Sequence, residues 1–437
     1  MTRTCQTLRL LLGSLLLASG CAVADESEDS STSDGNLEEA AVALPAACRS
    51  AEIVALSRPH SSARPAGEKF TYRVWFRRPA SPELPTVVHI PGGPGTPSIG
   101  HDQAWVPPSY GLVTTDPRGV GCNQTAAADA REFYRTDELA NDVVAAIDVL
   151  RTKGMGKFLL HGHSYGTVLA THVAHLLADP ARPQPEAVIL EGVLARAFTT
   201  EWMAASYVDE WSFQKATLSP AVRSALREPK PLGYDGKTWG NFFMVMTAQL
   251  GPDATQAAFQ LLDPDAAGKA VPENIEKLQT LIDAFGKLEV SAGPSLTLQQ
   301  QVACRELTSD LPADNVDVVL EGGEIVKAPD VGTLCEGFEL ERPFHVRDHL
   351  YPFRTYYFIG DHDTATPPWQ GKLHFDTLAT ADRVEIVVEG AGHLPLMRHL
   401  APCGPSLVEA VAAGQGFGDA LAACGAPVDV RFGRAAP

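Results

Sequence analysis

Short apolar runs alternate with longer stretches of helical periodicity over residues 48–194. Residues 87–90 and 158–160 are typical of buried strands, and residues 138–150 between them have the apolar spacing of a helix. Strands that alternate with helices form parallel sheets, because each helix carries the chain back to the start of the next strand. The pattern therefore predicts an α/β protein with a mostly parallel sheet.

The pattern changes over residues 195–338, where apolar positions recur at helical spacing and strand signals are sparse. This part is also rich in tryptophan and phenylalanine. It predicts a helical cap inserted after the strand that ends near Gly192. We expect residues 48–194 and 339–437 to build one core, with the cap covering its site and selecting the substrate.

The N-terminus has the features of an export signal. Residues 1–21 combine early arginines with an apolar stretch at residues 10–17, which is too short to span a bilayer. Small residues precede Cys21, as in bacterial lipoprotein signals, so Cys21 is the predicted lipidation site. Ordinary cleavage at residues 22–24 is the alternative. Residues 22–47 are rich in serine and acidic residues and predict a disordered tether in an exported protein, anchored in the cell envelope or secreted.

Composition and charge narrow the possible partners. The chain has 437 residues, of which 45% are apolar and 20% charged, enough for one large core with an inserted domain. Its formal net charge of −18 argues against nucleic acid as a partner, because phosphate contacts require a basic surface. We expect a monomer that meets the membrane only through an N-terminal lipid anchor.

The eight cysteines support export. Cys5 would be removed with the signal and Cys21 lipidated, which leaves an even set of six for an oxidising compartment. Six cysteines allow fifteen connectivities, so the sequence alone does not choose among them. We favour one pair within the cap, one across the C-terminal helical segment and one that remains by elimination: Cys304–Cys335, Cys403–Cys424 and Cys48–Cys122. None has the paired spacing of a zinc site, and no metal is expected.

The candidate chemistry centres on Gly162-His163-Ser164-Tyr165-Gly166. This G-x-S-x-G sequence follows a predicted strand and opens a predicted helix, which is the context of a nucleophile elbow. Small residues on both sides let strand and helix approach closely, and the sharp turn lifts the serine above the sheet. The N-terminus of the helix also favours developing negative charge. Ser164 is therefore the predicted nucleophile.

An acidic residue and a histidine follow in the order of a Ser-acid-His triad. The apolar run at residues 355–360 predicts a strand that leads to Asp361 and Asp363, and the run at residues 384–388 predicts another that leads to His393. The imidazole would accept the serine proton, and the carboxylate would hold its tautomer and orientation. Asp363 is the preferred acid and Asp361 the alternative, with the other aspartate forming the turn.

A glycine-proline turn after the strand at residues 87–90 supplies a further element. The turn reads P-G-G-P-G at residues 91–95, and glycine allows backbone N–H groups to face a substrate oxygen. Such a group, together with the amide that follows the nucleophile, forms an oxyanion hole that stabilises the transition state by several kcal/mol. The predicted donors are the amides of Gly93 and Tyr165.

In their order along the chain, these motifs resemble the alpha/beta-hydrolase serine peptidases of the proline iminopeptidase type, in particular the secreted bacterial tripeptidyl aminopeptidases. The similarity spans residues 87–393 and includes a D-x-R-G-x-G loop at residues 116–121. The family's G-x-x-D-x-x-T-P pattern matches residues 360–367 and favours Asp363 as the acid. Many relatives have histidine at the position of Pro91.

The resemblance implies the alpha/beta-hydrolase fold with a helical cap, and an exported serine aminopeptidase that cleaves peptide substrates through an acyl-enzyme without a cofactor. An aminopeptidase needs an acidic group for the α-ammonium of its substrate, because a buried cation requires a partner. Glu306 lies in a sequence similar to a cap motif of the tripeptidyl group, and Glu191 and Glu201 are further candidates. An esterase or lactonase on the same fold and an inert binding protein are the alternatives.

Overall fold

The computed structural model describes residues 44–435, with gaps at residues 102, 126–128, 227–230, 235, 287–293, 310–316, 320–324, 328–334 and 336. The predicted signal, Cys21 and residues 22–43 of the predicted tether lie outside the described residues. Ala46–Arg49 form a short 3-10 turn, so the last residues of that tether already belong to the folded part. Over the described ranges, no helix is long and apolar enough to cross a bilayer.

The core is a nine-stranded sheet, and two further pairs of short strands lie outside it. The described strands are β1 (Ile53–Pro59), β2 (Lys69–Arg77), β3 (Thr86–Ile90), β4 (Gly111–Thr115), β5 (Phe158–His163), β6 (Ala187–Glu191), β7 (Phe198–Thr199), β8 (Thr308–Ser309), β9 (Asp317–Val319), β10 (Ile325–Lys327), β11 (Thr355–Gly360), β12 (Arg383–Val388) and β13 (Val428–Gly433). The order in the large sheet is β1-β2-β4-β3-β5-β6-β11-β12-β13. Pairing is antiparallel at the β1, β2 and β13 edges and parallel throughout the centre.

Helices connect the strands and cover the sheet. The described α-helices are α1 (Ala130–Phe133), α2 (Thr136–Thr152), α3 (Tyr165–Leu177), α4 (Thr200–Thr217), α5 (Pro220–Ala225), α6 (Gly236–Leu250), α7 (Pro252–Phe259), α8 (Pro272–Phe285), α9 (Pro294–Val302), α10 (Pro368–Thr377), α11 (Gly404–Ala413) and α12 (Phe417–Cys424). Short π-helical turns occur at Ala303–Leu307 and Pro395–His399.

Alternate side chains of the sheet point into two apolar cores. Val88 packs in one core with residues of α2, α3 and α10, while its neighbour Val87 packs in the other with residues of α11 and α12. All five residues of β3 and of β6 are buried. Central strands of a parallel sheet are covered on both faces, which explains their continuous apolar sequence. The predicted α/β class with a mostly parallel sheet is confirmed.

The chain between β6 and β11 leaves the sheet as a mainly helical insertion. It contains α4 to α9, and its aromatic side chains form a separate apolar core that includes Trp211, Trp239, Phe242 and Phe259. Short strands also occur in it, since β7 pairs with β8 in parallel and β9 pairs with β10 antiparallel. The division of the chain at residues 194/195 and 338/339 stays a prediction.

The described cysteines form three disulfides, and they are the pairs favoured from the sequence: Cys48–Cys122, Cys304–Cys335 and Cys403–Cys424. The first ties the N-terminal turn to the loop after β4, the second lies in the insertion, and the third joins the start of α11 to the end of α12. Disulfides are typical of proteins that fold outside the cytoplasm, which agrees with the predicted export.

The D-x-R-G-x-G loop after β4 is a structural brace. Asp116 accepts hydrogen bonds from the backbone amides of Ser98 and Ile99, at 2.6 and 2.9 Å. Arg118 is fully buried and forms a two-pronged ion pair with Asp142 of α2, at 2.7 and 2.8 Å. The loop therefore holds the segment that follows the predicted oxyanion turn against the sheet.

Candidate active site

The predicted nucleophile lies in a strained turn between β5 and α3. Ser164 has φ 55° and ψ −131°, a backbone conformation that residues other than glycine rarely adopt. A Cβ atom on Gly162 would overlap the carbonyl oxygen of Gly166, and one on Gly166 would overlap that of Ile90. Only glycine therefore fits at both positions, and the strand-turn-helix geometry predicted for a nucleophile elbow is present.

The predicted acid and base are in direct contact. His393 Nδ1 donates to the carboxylate of Asp363, at 2.9 Å from Oδ2 and 3.1 Å from Oδ1. That carboxylate also accepts from the amides of Ala365 and Thr366, both at 2.8 Å, and from Thr366 Oγ1 at 2.7 Å. Asp361 instead lies 3.6 Å from the ring of the neighbouring histidine. The geometry therefore favours Asp363 over Asp361 as the partner of His393.

The end of β6 brings the serine and the histidine to the same place. The Ser164 amide donates to the carbonyl oxygen of Glu191 at 3.0 Å. At the next residue, Gly192, an added Cβ would lie 2.6 Å from Cε1 of His393. Glu191 thus contacts the serine turn, and Gly192, the next residue, contacts the imidazole of His393.

The predicted oxyanion turn packs against the same serine. Gly93 has φ +113°, a value open to glycine, and a Cβ on Gly92 would lie 2.7 Å from Ser164 Cβ. The Gly92 amide donates to His163 Nε2 at 3.0 Å. Tyr165 is the first residue of α3, so its amide has no acceptor within the helix. Tyr165 thus follows Ser164 in the chain, and Gly93 follows the glycine that packs against Ser164.

A sequence profile described as the alpha/beta hydrolase fold matches residues 85–229, which include β3, β5 and the serine turn. The strand order and the position of the serine turn agree with it. The chain has the alpha/beta-hydrolase fold. A search of curated protein sequences gives no match.

Solved structures of several hydrolases are similar to this chain at low sequence identity. A serine hydrolase from Cycloclasticus zankles is 14% identical, with a TM-score of 0.43 over 83% of this chain and 98% of its own. A proline iminopeptidase from Mycobacterium smegmatis is 15% identical, with a TM-score of 0.40 over 83% and 99%. A thermophilic esterase from Thermogutta terrifontis is 17% identical, with a TM-score of 0.36 over 82% and 97%.

Glu191 does not have the surroundings expected of an ammonium ligand in this alpha/beta-hydrolase site. Its side chain is fully buried, and Oε1 lies 3.0 Å from His161 Nε2. Oε2 accepts from the amides of Leu396 and Met397, at 3.0 and 3.2 Å. Because both oxygens already have protein partners away from solvent, this geometry disfavours Glu191 as an amine-binding residue and favours a structural role.

Glu306 is linked to the side chain of Tyr165 through Thr136, but its carboxylate already has protein partners. Its carboxylate is 3.2 Å from Arg342 and 3.4 Å from the amide of Thr136, and Thr136 Oγ1 is 2.9 Å from the hydroxyl of Tyr165. Burial raises the pKa of Glu306, although the Thr136 hydrogen bonds and Arg342 oppose that rise. It lines a cavity of about 360 Å³ together with Arg342 and His172. The side chain of the third candidate, Glu201, lies outside the described residues.

The sequence did not predict the contacts between the insertion and the loops that carry Asp363 and His393. His362, next to the acid, is 2.7 Å from Glu210 of α4, and Thr364 Oγ1 donates to the Met244 carbonyl of α6 at 2.9 Å. The amide of His393 donates to the Ala248 carbonyl of α6 at 2.7 Å. Burial alone would lower the pKa of His362, but the hydrogen bond and charge of Glu210 outweigh it and raise that pKa. The partners are more than a hundred residues apart, and no local motif signals them.

Three histidines next to the serine turn could suggest a metal centre. His89, His161 and His163 each offer a ligand atom within 4.8 Å of the others. His161 Nε2 faces the Glu191 carboxylate and so carries a proton, which leaves its Nδ1 to accept from His89 Nδ1 at 2.9 Å. His163 Nε2 accepts from the Gly92 amide, so the neutral ring carries its proton on Nδ1. Neither nitrogen of His163 then offers a lone pair to a metal, and the pattern favours a hydrogen-bonded group.

Proposed function

We propose that the protein is an exported serine aminopeptidase that releases short pieces from the free N-terminus of peptides. Ser164 is the nucleophile, His393 the base and Asp363 the residue that orients it. The observation that carries the proposal is the Asp363–His393 hydrogen bond at 2.9 Å, beside a serine held at positive φ. The motif resemblance supports the peptidase assignment within the wider hydrolase fold.

In the proposed reaction, Ser164 Oγ attacks the carbonyl carbon of the scissile bond while His393 Nε2 takes its proton. The carbonyl oxygen becomes negative in the tetrahedral intermediate and is stabilised by the amides of Gly93 and Tyr165. When the C–N bond breaks, His393 returns the proton to the leaving amine and an acyl-enzyme remains. Water then repeats the sequence and releases the acid.

The surroundings of Asp363 support its proposed role. It is 4% exposed, and the Ala365 and Thr366 amides and the Thr366 hydroxyl fix its carboxylate. A fixed carboxylate holds His393 with its proton on Nδ1, which leaves Nε2 free to act as a base. The same contact stabilises the imidazolium that forms during the reaction. No metal or organic cofactor enters these steps.

The proposal extends to the location and partners of the enzyme. Three disulfides and the N-terminal sequence support export, with Cys21 as the proposed lipid anchor. We propose a monomer that takes peptides as substrates and has no nucleic-acid partner. Glu306 or Glu201 is proposed to hold the substrate's ammonium group.

The test is hydrolysis of chromogenic amides and esters by the wild type and by Ser164→Ala. The panel pairs free and blocked N-termini on substrates of one to three residues. We expect cleavage only of free-amine peptides, and loss of that cleavage in Ser164→Ala by about 10⁶-fold in kcat, since nucleophile and base act as a unit. The preferred length then defines the class of aminopeptidase.

Two results would contradict the proposal in different ways. Equal cleavage of blocked and free substrates, or of esters alone, would leave a general serine hydrolase such as an esterase or lactonase. Turnover that survives in Ser164→Ala would contradict Ser164 as the nucleophile. No turnover by the wild type, together with no labelling of Ser164 by a phosphonate, would favour an inert binding protein.

A further inference from the structure

The residue before the predicted oxyanion donor is held by a side chain from the serine turn. The Gly92 amide donates to His163 Nε2 at 3.0 Å, and Gly93 follows directly. A Cβ on Gly92 would lie 3.1 Å from His163 Cδ2, so backbone and ring are in close contact. This hydrogen bond fixes one end of the peptide that presents the Gly93 amide.

His163 is itself held by a buried group of side chains. Its ring lies 5.3 Å from that of His89, at an interplanar angle of 22°. His89 Nδ1 donates to His161 Nδ1 at 2.9 Å, and His161 donates from Nε2 to Glu191. Trp105 covers the ring of His161, with their centroids 4.2 Å apart. His89 and His161 are each at most 1% exposed, so the group is as rigid as the surrounding core.

The group also reaches the loop of the catalytic histidine. Glu191 accepts through Oε2 from the amides of Leu396 and Met397, three and four residues after His393. The backbone carbonyl of Glu191 accepts from the amide of Ser164. Glu191 therefore contacts the serine turn through its backbone carbonyl and the histidine loop through its carboxylate. The carboxylate also contacts His161, a member of the histidine group that supports Gly92.

The protonation pattern suits this arrangement. Burial, together with the neighbouring His161 and His393, lowers the pKa of His163 well below its ordinary value, and burial with His161 and His163 does the same for His89. A neutral His163 keeps a lone pair on Nε2 for the Gly92 amide. Its buried Nδ1 has no hydrogen-bond partner among the described residues, a cost that the Gly92 contact helps to offset.

We propose that His163 is a positioning residue that holds the oxyanion turn in its reactive conformation through the Gly92 amide. The proposal rests on the oxyanion role of Gly93 given above. Without the His163 acceptor, the turn would sample other conformations, and the Gly93 amide would spend less time where the intermediate's oxygen forms. A displaced donor stabilises the transition state less but affects the substrate complex little, because the oxyanion forms only during the reaction. We therefore expect kcat to fall while KM changes little.

The test compares His163→Gln, His163→Asn and His163→Leu. The Gln side chain carries an oxygen at about the position of Nε2, whereas the Asn amide is too short and Leu has no acceptor. We expect Gln to keep most of kcat, and Asn and Leu to lose about 10²-fold, as for a misplaced catalytic group. Any substrate whose cleavage depends on Ser164 serves, because ester and amide hydrolysis form the same tetrahedral oxyanion.

A boronic acid that forms a tetrahedral adduct with the serine separates positioning from packing. The affinity of the His163→Asn and His163→Leu variants for the boronic acid should fall in parallel with kcat. Their affinity for the acid product and their melting temperatures should stay near those of the His163→Gln variant. If all three variants keep the wild-type kcat, or if Gln loses as much as Asn and Leu, the proposal is overturned. The comparison of kcat between the His163→Asn and His163→Gln variants decides the question even if the His163→Leu variant does not fold.

A measurement without turnover separates this proposal from the assignment of the reaction. ¹⁵N NMR of histidine-labelled wild type, with the His163 signals assigned from His163→Gln, reports which ring nitrogen carries the proton. We expect the proton on Nδ1 and a neutral ring at pH 6. A proton on Nε2 would overturn the proposal whatever the enzyme cleaves. The expected tautomer without any Ser164-dependent turnover would contradict only the proposed reaction.

Discussion

At Asp363, local hydrogen bonds and the tertiary partner act on one carboxylate. The Ala365 and Thr366 amides and the Thr366 hydroxyl come from the next three residues, so the turn itself orients the carboxylate. His393 then meets a charge that is already oriented. Asp361, two residues earlier, has a pKa raised by burial, although His362 and backbone amides oppose that rise. The environments of the two aspartates thus differ enough to be tested separately.

Asp363→Asn should lower kcat by about 10⁴-fold, because an amide at this position favours the wrong tautomer of His393. The matched control is Asp361→Asn, which removes a neighbouring charge without touching the imidazole. Its kcat should stay near that of the wild type. Both are measured with the same Ser164-dependent substrate. A larger loss in Asp361→Asn than in Asp363→Asn would show that the assignment of the acid is wrong.

At the scale of elements, the end of β11 and the loop after β12 are in backbone contact. A Cβ on Gly360, the last residue of β11, would overlap the carbonyl of Gly392 and lie 2.5 Å from that of Ala391. These two segments carry Asp363 and His393. The close approach of the two segments therefore requires that Gly360 has no side chain.

Gly360→Ala should destabilise the fold by about 1–3 kcal/mol, the usual cost of forcing extra atoms into a packed site. It should also reduce kcat, since the acid and the base move apart. Gly418→Ala in α12 is the control: it is exposed, and an added Cβ meets no described atom within 4 Å. That change should be neutral or stabilise by up to about 1 kcal/mol. Guanidinium unfolding gives both values, and equal effects would contradict the proposed close packing.

At the scale of the whole molecule, distant parts of the chain support one site. In the insertion, Glu210, Met244 and Ala248 form hydrogen bonds with the loops that carry Asp363 and His393.

The disulfides close loops of different length, with separations of 74 residues for Cys48–Cys122 and 21 for Cys403–Cys424. A disulfide that closes a longer loop removes more conformational entropy from the unfolded chain, so Cys48–Cys122 should contribute more stability.

Replacing both cysteines of a pair by alanine should therefore cost more for Cys48 and Cys122 than for Cys403 and Cys424. Chain entropy gives about 4.5 kcal/mol for the first pair and about 3.3 kcal/mol for the second. The first pair is also buried, so its loss leaves a cavity. Free energies of unfolding in guanidinium check the order. A greater loss for the Cys403 and Cys424 variant would contradict it.

Much of this arrangement could be predicted from local sequence. The apolar runs identified β3, β5, β11 and β12, because parallel strands buried on both faces need continuous apolar side chains. The G-x-S-x-G turn identified Ser164, because only glycine fits where strand and helix come so close. The order of the motifs and their positions after predicted strands were enough to predict that Asp363 and His393 lie at the same edge of the sheet.

Other features depend on contacts between residues far apart in the chain. Glu191 was a candidate ligand for the substrate's ammonium group, but His161 and the loop after His393 surround its carboxylate. β13 was not predicted, since its alternating exposed positions form an edge strand only when β12 is beside it. The sequence by itself determined the fold class and the order of the candidate triad, because both follow from periodicity and from local backbone constraints. Only the tertiary structure decided the role of Glu191, the contact of Glu210 with the acid loop and the support of Gly92 by His163, because a hydrogen bond between distant residues has no local pattern.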